Sequence, residues 1–141
     1  MNIINNKYEE KGYGLVKIPT FSDSRGCLSI ADEERLPFIP KRVFWIYDVV
    51  DGKTRGGHAH NECAEVVFAV KGHFEMFVDN GKEQQTFTID SPDTGIYIGK
   101  NVWCELRNFA PGTVCVALAS HPYNANGYIN CKDEFDKIFG R

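Results

Sequence analysis

An all-β domain closed by one short C-terminal helix is the fold class this sequence predicts, and three observations carry it. Short runs rich in Val, Ile, Phe and Tyr recur along the chain, separated by turn residues about every ten positions, as in a sandwich or barrel. Helical spacing is confined to Lys132–Phe139, where Phe135, Ile138 and Phe139 fall on one side. No linker, solenoid-period repeat or low-complexity stretch breaks the 141 residues, so residues 1–141 read as one domain.

In chain order, residues 42–50 (RVFWIYDVV) form the first strong strand, and Asp51-Gly52-Lys53 a turn. Strands at 65–70 and 73–78 are divided by Lys71-Gly72. Asp79-Asn80-Gly81 carries the Asn-Gly signal of a type I′ hairpin, with 84–89 as the returning strand. A loop over Ser91-Pro92-Asp93-Thr94-Gly95 leads to strands at 96–98 and 102–107, a turn at Ala110-Pro111-Gly112 and a last long strand at 113–119. Val66-Val67-Phe68-Ala69-Val70 is apolar on both alternating faces, whereas a strand with one wet face alternates. One face is expected to fill the barrel. A second subunit is the expected cover of the other, which predicts a homodimer.

Composition excludes several classes. Hydrophobic content of 43% and charged content of 25% are those of a soluble globular domain. A net charge of −3 gives no electrostatic case for nucleic acid or an anionic membrane. No apolar run approaches the roughly 20 residues of a membrane helix. Residues 1–6 (MNIINN) show no basic region followed by an apolar stretch, so no signal peptide is expected. The cysteines are odd in number (Cys27, Cys63, Cys104, Cys115 and Cys131) and lack CxxC spacing, which predicts reduced thiols in a cytoplasm. Cys63 and Cys115 read as buried core thiols.

Chemistry concentrates in residues 52–72, GKTRGGHAHNECAEVVFAVKG. His58 and His60 lie two apart on an extended segment, so both rings point to one side. The flanking glycines permit the turns that aim the segment inward. Of the remaining histidines, His73 opens a strand and His121 precedes Pro122; both read as structural or solvated. Histidine suits proton transfer because its pKa lies near the working pH.

The spacing Gly52, His58-x-His60, Glu65, Gly72 resembles the first signature of the cupin superfamily, which implies a double-stranded β-helix, or jelly-roll, barrel. The second signature is degraded, with Cys104 in the place of a third histidine. One alternative is therefore a metal-dependent cupin enzyme using His58, His60, Glu65 and Cys104, a set chemically possible for Zn or Fe.

Beyond this, the chain is similar to the dTDP-sugar 3,4-ketoisomerases, the WxcM-like branch. The resemblance rests on residues 42–49, the run Arg55-Gly56-Gly57-His58-Ala59-His60, Gly95-Ile96-Tyr97-Ile98 with Trp103 and Glu105, and Tyr128-Ile129, over about Lys17 to Phe135. It implies a metal-free enzyme without cofactor that moves the carbonyl of dTDP-4-keto-6-deoxyglucose from C4 to C3. The product feeds 3-amino-3,6-dideoxy sugars into surface polysaccharides such as the O-antigen of lipopolysaccharide. It also implies a homodimer with N-terminal strand exchange. Three departures stand out: Glu65 replaces an expected glutamine, Cys104 an expected His or Arg, and Gly127 and Asn130 an expected Asp and Arg. A keto shift is two proton transfers through an enediol, so His58 and His60 are the expected catalytic pair, one the C3 base and the other a shuttle. Tyr47, grouped on one strand face with Val43 and Trp45, is the candidate donor to the sugar oxygens. Arg55 is placed to pair with the pyrophosphate. Arg25, Trp103, Cys104 and Glu65 complete the expected substrate contacts. A non-catalytic nucleotide-sugar binding module is the other alternative.

Overall fold

The computed structural model describes residue 8 and residues 10–140; residues 1–6, read above for a signal peptide, lie outside the described residues. The strands are β1 (Tyr13–Lys17), β2 (Thr20–Asp23), β3 (Gly26–Ser29), β4 (Arg42–Ile46), β5 (Arg55–His60), β6 (Glu65–Lys71), β7 (Phe74–Asp79), β8 (Gln84–Ile89), β9 (Thr94–Ile98), β10 (Trp103–Arg107), β11 (Val114–Ala119) and β12 (Tyr128–Ile129), followed by helix α1 (Lys132–Phe139). Two five-stranded sheets, ordered β1-β9-β6-β11-β4 and β12-β5-β10-β7-β8, pair antiparallel throughout and face each other as a jelly-roll barrel. β2 and β3 form a separate hairpin.

The period of two along each strand decides what fills the barrel. Val67 and Ala69 of β6, Met76 and Val78 of β7, Ile96 and Ile98 of β9, and Cys115 and Ala117 of β11 meet in one buried cluster. The intervening residues face outward, and on β6 the chain itself covers Val66 and Phe68 but leaves Val70 exposed. Val66 and Phe68 pack under Tyr8, Val16, Ile18 and Leu36. Across the barrel, Ala59 and Trp103 pack under Phe135 of α1. A Lys132–Asp79 ion pair of 2.9 Å ties that helix to the end of β7. This corrects the expectation that a second subunit covers the outer face of 66–70: the N-terminal segment up to Leu36 does so at Val66 and Phe68.

Three local readings also change. The strand expected over 42–50 ends at Ile46, because Asp48 turns the backbone left-handed at φ 54°. The Asn80-Gly81 turn is not type I′, which needs positive φ at both central residues. Gly81 alone is left-handed there, at 90°, while the Asn80 side chain accepts the Lys82 and Glu83 amides. A Cβ at Gly81 would collide with the Phe139 carbonyl, so the turn also seats the helix end. The residue pattern does not show the N-terminal strands β1 to β3, since their four- and five-residue runs mix polar and apolar positions; only the resemblance implies a strand there.

If the N-terminal segment is the true cover of β6, Leu36→Ala is expected to lower folding stability by about 2–5 kcal/mol, the usual cost of emptying a buried leucine site. Urea unfolding measures it; a loss below about 1 kcal/mol would place the cover elsewhere.

Candidate active site

After Arg55, β5 continues with two consecutive left-handed glycines, Gly56 and Gly57, both at φ 77°. Any side chain is strained in that conformation, and a Cβ on Gly56 would press on the Cys104 carbonyl at 3.1 Å. The double kink displaces the register against β10 between Cys104 and Glu105 and sets His58 opposite Cys104. From there alternation holds: His58 and His60 turn inward while Ala59 enters the cluster under α1. The two imidazoles meet edge to face with centroids 4.8 Å apart.

The inward residues border a cavity of about 330 Å³ at one end of the barrel. β4 contributes Arg42, Phe44 and Ile46; β5 contributes Arg55 and His58; Glu65, Cys104 and Tyr128 close the interior wall. Behind His58, His60 is buried with its Nε2 3.1 Å from Glu65 Oε2, but off the line that an N–H···O bond requires. Arg42 lies on the other side of Glu65, Nη2 to Oε2 at 4.0 Å. Tyr128 packs against both imidazoles, edge to face on His58 with centroids 4.8 Å apart and tilted on His60 at 4.6 Å. Burial, then the neighbouring His60, pulls the His58 pKa down to about 4, so its ring is neutral at neutral pH. Burial pushes the Cys104 thiol well above its ordinary range, so it stays protonated.

Of the residues singled out in the sequence, the structure gathers His58, His60, Glu65, Cys104 and Arg55, the last at the cavity mouth. Three do not join them. Tyr47 is 58% exposed beyond the end of β4 and lines an open groove outside the barrel. Trp103 points away from the cavity: its indole N–H donates to Glu105 at 2.7 Å and its ring packs against Phe135. Arg25 stands at the tip of the exposed β2–β3 hairpin, paired with Asp23 rather than bordering its own chain's cavity. Two residues were missed. Arg42 opens β4 with the inward parity of Phe44 and Ile46, and a cation starting an apolar strand is the signal that could have found it. Tyr128 sits beside the histidines through the β12–β5 pairing, opposite His60, which no local pattern shows.

The four residues of the metal alternative do not converge. Among the described residues, the donors that approach one another are His60, Cys63 and Glu65, within 4.8 Å, without His58 or Cys104. The Arg42 guanidinium stands 3.7 Å from the Cys63 sulfur and 4.0 Å from Glu65, a fixed cation against the same donors. This set does not fit a divalent metal.

Comparison with known proteins agrees with the barrel fold. The family model described as FdtA: WxcM-like, C-terminal matches residues 11–140. A TDP-4-oxo-6-deoxy-alpha-D-glucose-3,4-oxoisomerase of Aneurinibacillus thermoaerophilus is 37% identical over 128 residues, covering 90% of this chain and 92% of that one. The crystal structure of a 3,4-ketoisomerase from Helicobacter canadensis superposes with a TM-score of 0.86 at 35% identity, over 90% of this chain and 96% of that one. A histidine-to-asparagine variant of the 3,4-ketoisomerase QdtA from Thermoanaerobacterium thermosaccharolyticum, in complex with TDP-4-keto-6-deoxyglucose, gives 0.87 at 29% identity, over 92% and 94%.

The depressed pKa of His58 has a consequence for stability. Between its folded value of about 4 and the unfolded value of 6.5, the unfolded chain binds the proton more tightly. Stability is therefore expected to rise with pH across that window and to fall as pH drops through it. Denaturant midpoints of wild type and His58→Asn measured from pH 4 to 7 check this: the variant's slope is expected to be shallower, and identical slopes would contradict it.

Proposed function

This chain belongs to the FdtA: WxcM-like, C-terminal family, and from that premise we propose that it is a sugar 3,4-ketoisomerase acting on dTDP-4-keto-6-deoxyglucose. One observation carries the reading to the residues: a neutral histidine, His58, faces a largely apolar cavity with a second histidine and a buried glutamate behind it. His58 is the base that takes the proton from C3. The C4 carbonyl oxygen becomes the enediol oxygen, the C3 hydroxyl gives up its proton to leave a carbonyl, and a proton is delivered to C4. No electrons leave the sugar, so the reaction needs no redox partner. His60, held against Glu65, shuttles protons between the oxygens. Arg55 at the mouth pairs with the pyrophosphate, and Cys104 borders the sugar opposite His58.

The assembled enzyme in this proposal is a homodimer with an exchanged N-terminal hairpin. Phe21 and Leu28 of the hairpin are 60% and 58% exposed, and β4 is a free sheet edge whose outer residues Val43 and Trp45 are 52% and 59% exposed. Unpaired apolar edges of this kind call for a partner strand. A hairpin laid along the partner's β4 would carry Arg25 toward the partner's cavity. All five cysteines are free, which fits a reducing cytoplasm, and among the described residues no helix is long and apolar enough to cross a membrane.

His58→Asn and His60→Asn are each expected to slow turnover roughly 10²–10⁴-fold with unchanged circular dichroism. NMR of dTDP-4-keto-6-deoxyglucose turned over in deuterated water should place solvent deuterium at C4 of the product. Tight binding without any turnover by wild type would instead favour a binding module. Mixing Arg25→Ala with His58→Asn after unfolding and refolding together should restore activity, because a shared site leaves one intact centre per mixed dimer. No restoration, or a monomer by sedimentation at micromolar concentration, would refute the exchanged dimer.

A further inference from the structure

We propose that Tyr128 is a positioning residue whose ring is the partition that keeps water off the His58–His60 pair, an inference that rests on the ketoisomerase reading and deepens it. Two hollows meet at this ring. The barrel cavity lies on one side. On the other is an outer pocket of about 220 Å³, lined by His60 and Cys63 and by the exposed Asn61, Glu62 and His121. Arg42, Tyr123 and Tyr128 border both hollows and form the wall between them. Of the three, Tyr128 touches both imidazoles, with centroids at 4.8 and 4.6 Å. Tyr123 is 68% exposed, and its ring stands 6.2 Å from that of Tyr128.

The fold holds this ring from both ends of β12. The strand is two residues long, with Tyr128 opposite His60 and Ile129 opposite Ala59. Just before it, the Asn61 N–H donates to the Gly127 carbonyl at 3.0 Å, and just after it Ile129 packs on the cluster of Ala59, Trp103 and Phe135 that seats α1. A strand this short contributes little pairing; what it brings to the barrel is the tyrosine ring. Water at a neutral imidazole favours its protonated form, and a protonated His58 takes no proton from C3. Around His58 stand Arg42 of β4, Arg55 and His60 of β5, Glu65 of β6 and Cys104 of β10. His60 and Arg42 disfavour the imidazolium and Glu65 favours it, but burial outweighs each of them. The Tyr128 ring is part of that burial.

NMR titration of the His58 imidazole in the substrate-free protein tests the partition. Tyr128→Ala joins the two hollows and is expected to raise the His58 pKa from about 4 toward 6.5, by at least about one unit. Tyr128→Val keeps a strand-forming side chain in β12 and is expected to shift it the same way, should the alanine variant fail to fold. Tyr128→Phe keeps the ring, loses the hydroxyl beside Arg42, and is expected to restore the wild-type titration. In turnover of dTDP-4-keto-6-deoxyglucose, the acid limb of kcat/KM is expected to move up with the imidazole in the same variants. An unmoved or lowered pKa in the folded Ala or Val variant, or a Phe variant shifted as far as they are, would overturn the role of the ring. The titration needs no substrate, which separates the two levels: absence of wild-type turnover refutes the ketoisomerase reading, whereas normal turnover with an unmoved titration refutes the partition alone.

Discussion

A carboxylate and a guanidinium share the interior of this barrel, and neither is tolerable there without the other. Desolvating a single ion costs several kcal/mol, and removing one partner of such a pair is strongly destabilising. Glu65 and Arg42 come from neighbouring regions of one sheet, β6 and β4 on either side of β11, so their approach is set by strand order. Their pairing sets charged groups in the wall of an otherwise largely apolar cavity, next to a core filled with Val, Ile and Met. It also explains the poor fit to a metal: the guanidinium already provides the positive charge that the carboxylate, imidazole and thiolate donors of a metal site would require.

The same region arranges the histidines for different tasks. His58 faces the cavity, and His60 lies behind it against Glu65. Burial keeps His58 neutral, which a base must be to accept a proton. Gly56 and Gly57 make this possible, because two left-handed residues in succession shift the register so that the strand enters the barrel with its histidines inward. Tyr128 then closes over both rings from β12, the edge strand that pairs with β5.

Around this interior the chain covers most of its own outer surface. The N-terminal segment lies over β6 and the C-terminal helix over β5 and β10. The outer face of β4 and the β2–β3 hairpin are among the apolar surfaces left exposed. Apolarity on both strand faces was a correct sign that the barrel is clothed. It was misread as a sign of what clothes it, since burial by the same chain and burial by a partner leave the same pattern.

Legible in the residues alone are the all-β architecture, helix α1 to the residue, most strand positions, and the HxH pair with Glu65 and Cys104. These follow from local rules: period two in strands, spacing in the helix, turns at glycine and proline, and two histidines that must share a side. The sequence could not say which side of β4 faces in. Residues two apart share a face, but RVFWI is apolar on both, so Tyr47 was as plausible inside as Arg42. The answer came from pairing with β11 and from the left-handed Asp48 that ends the strand before Tyr47. Trp103 raised the same ambiguity, settled by Phe135 arriving from α1. Tyr128, nearly seventy residues from His60, reached the site only through the β12–β5 pairing. Facing and long-range pairing are properties of the closed barrel, because only closure decides which surface of a two-sided apolar strand becomes the interior.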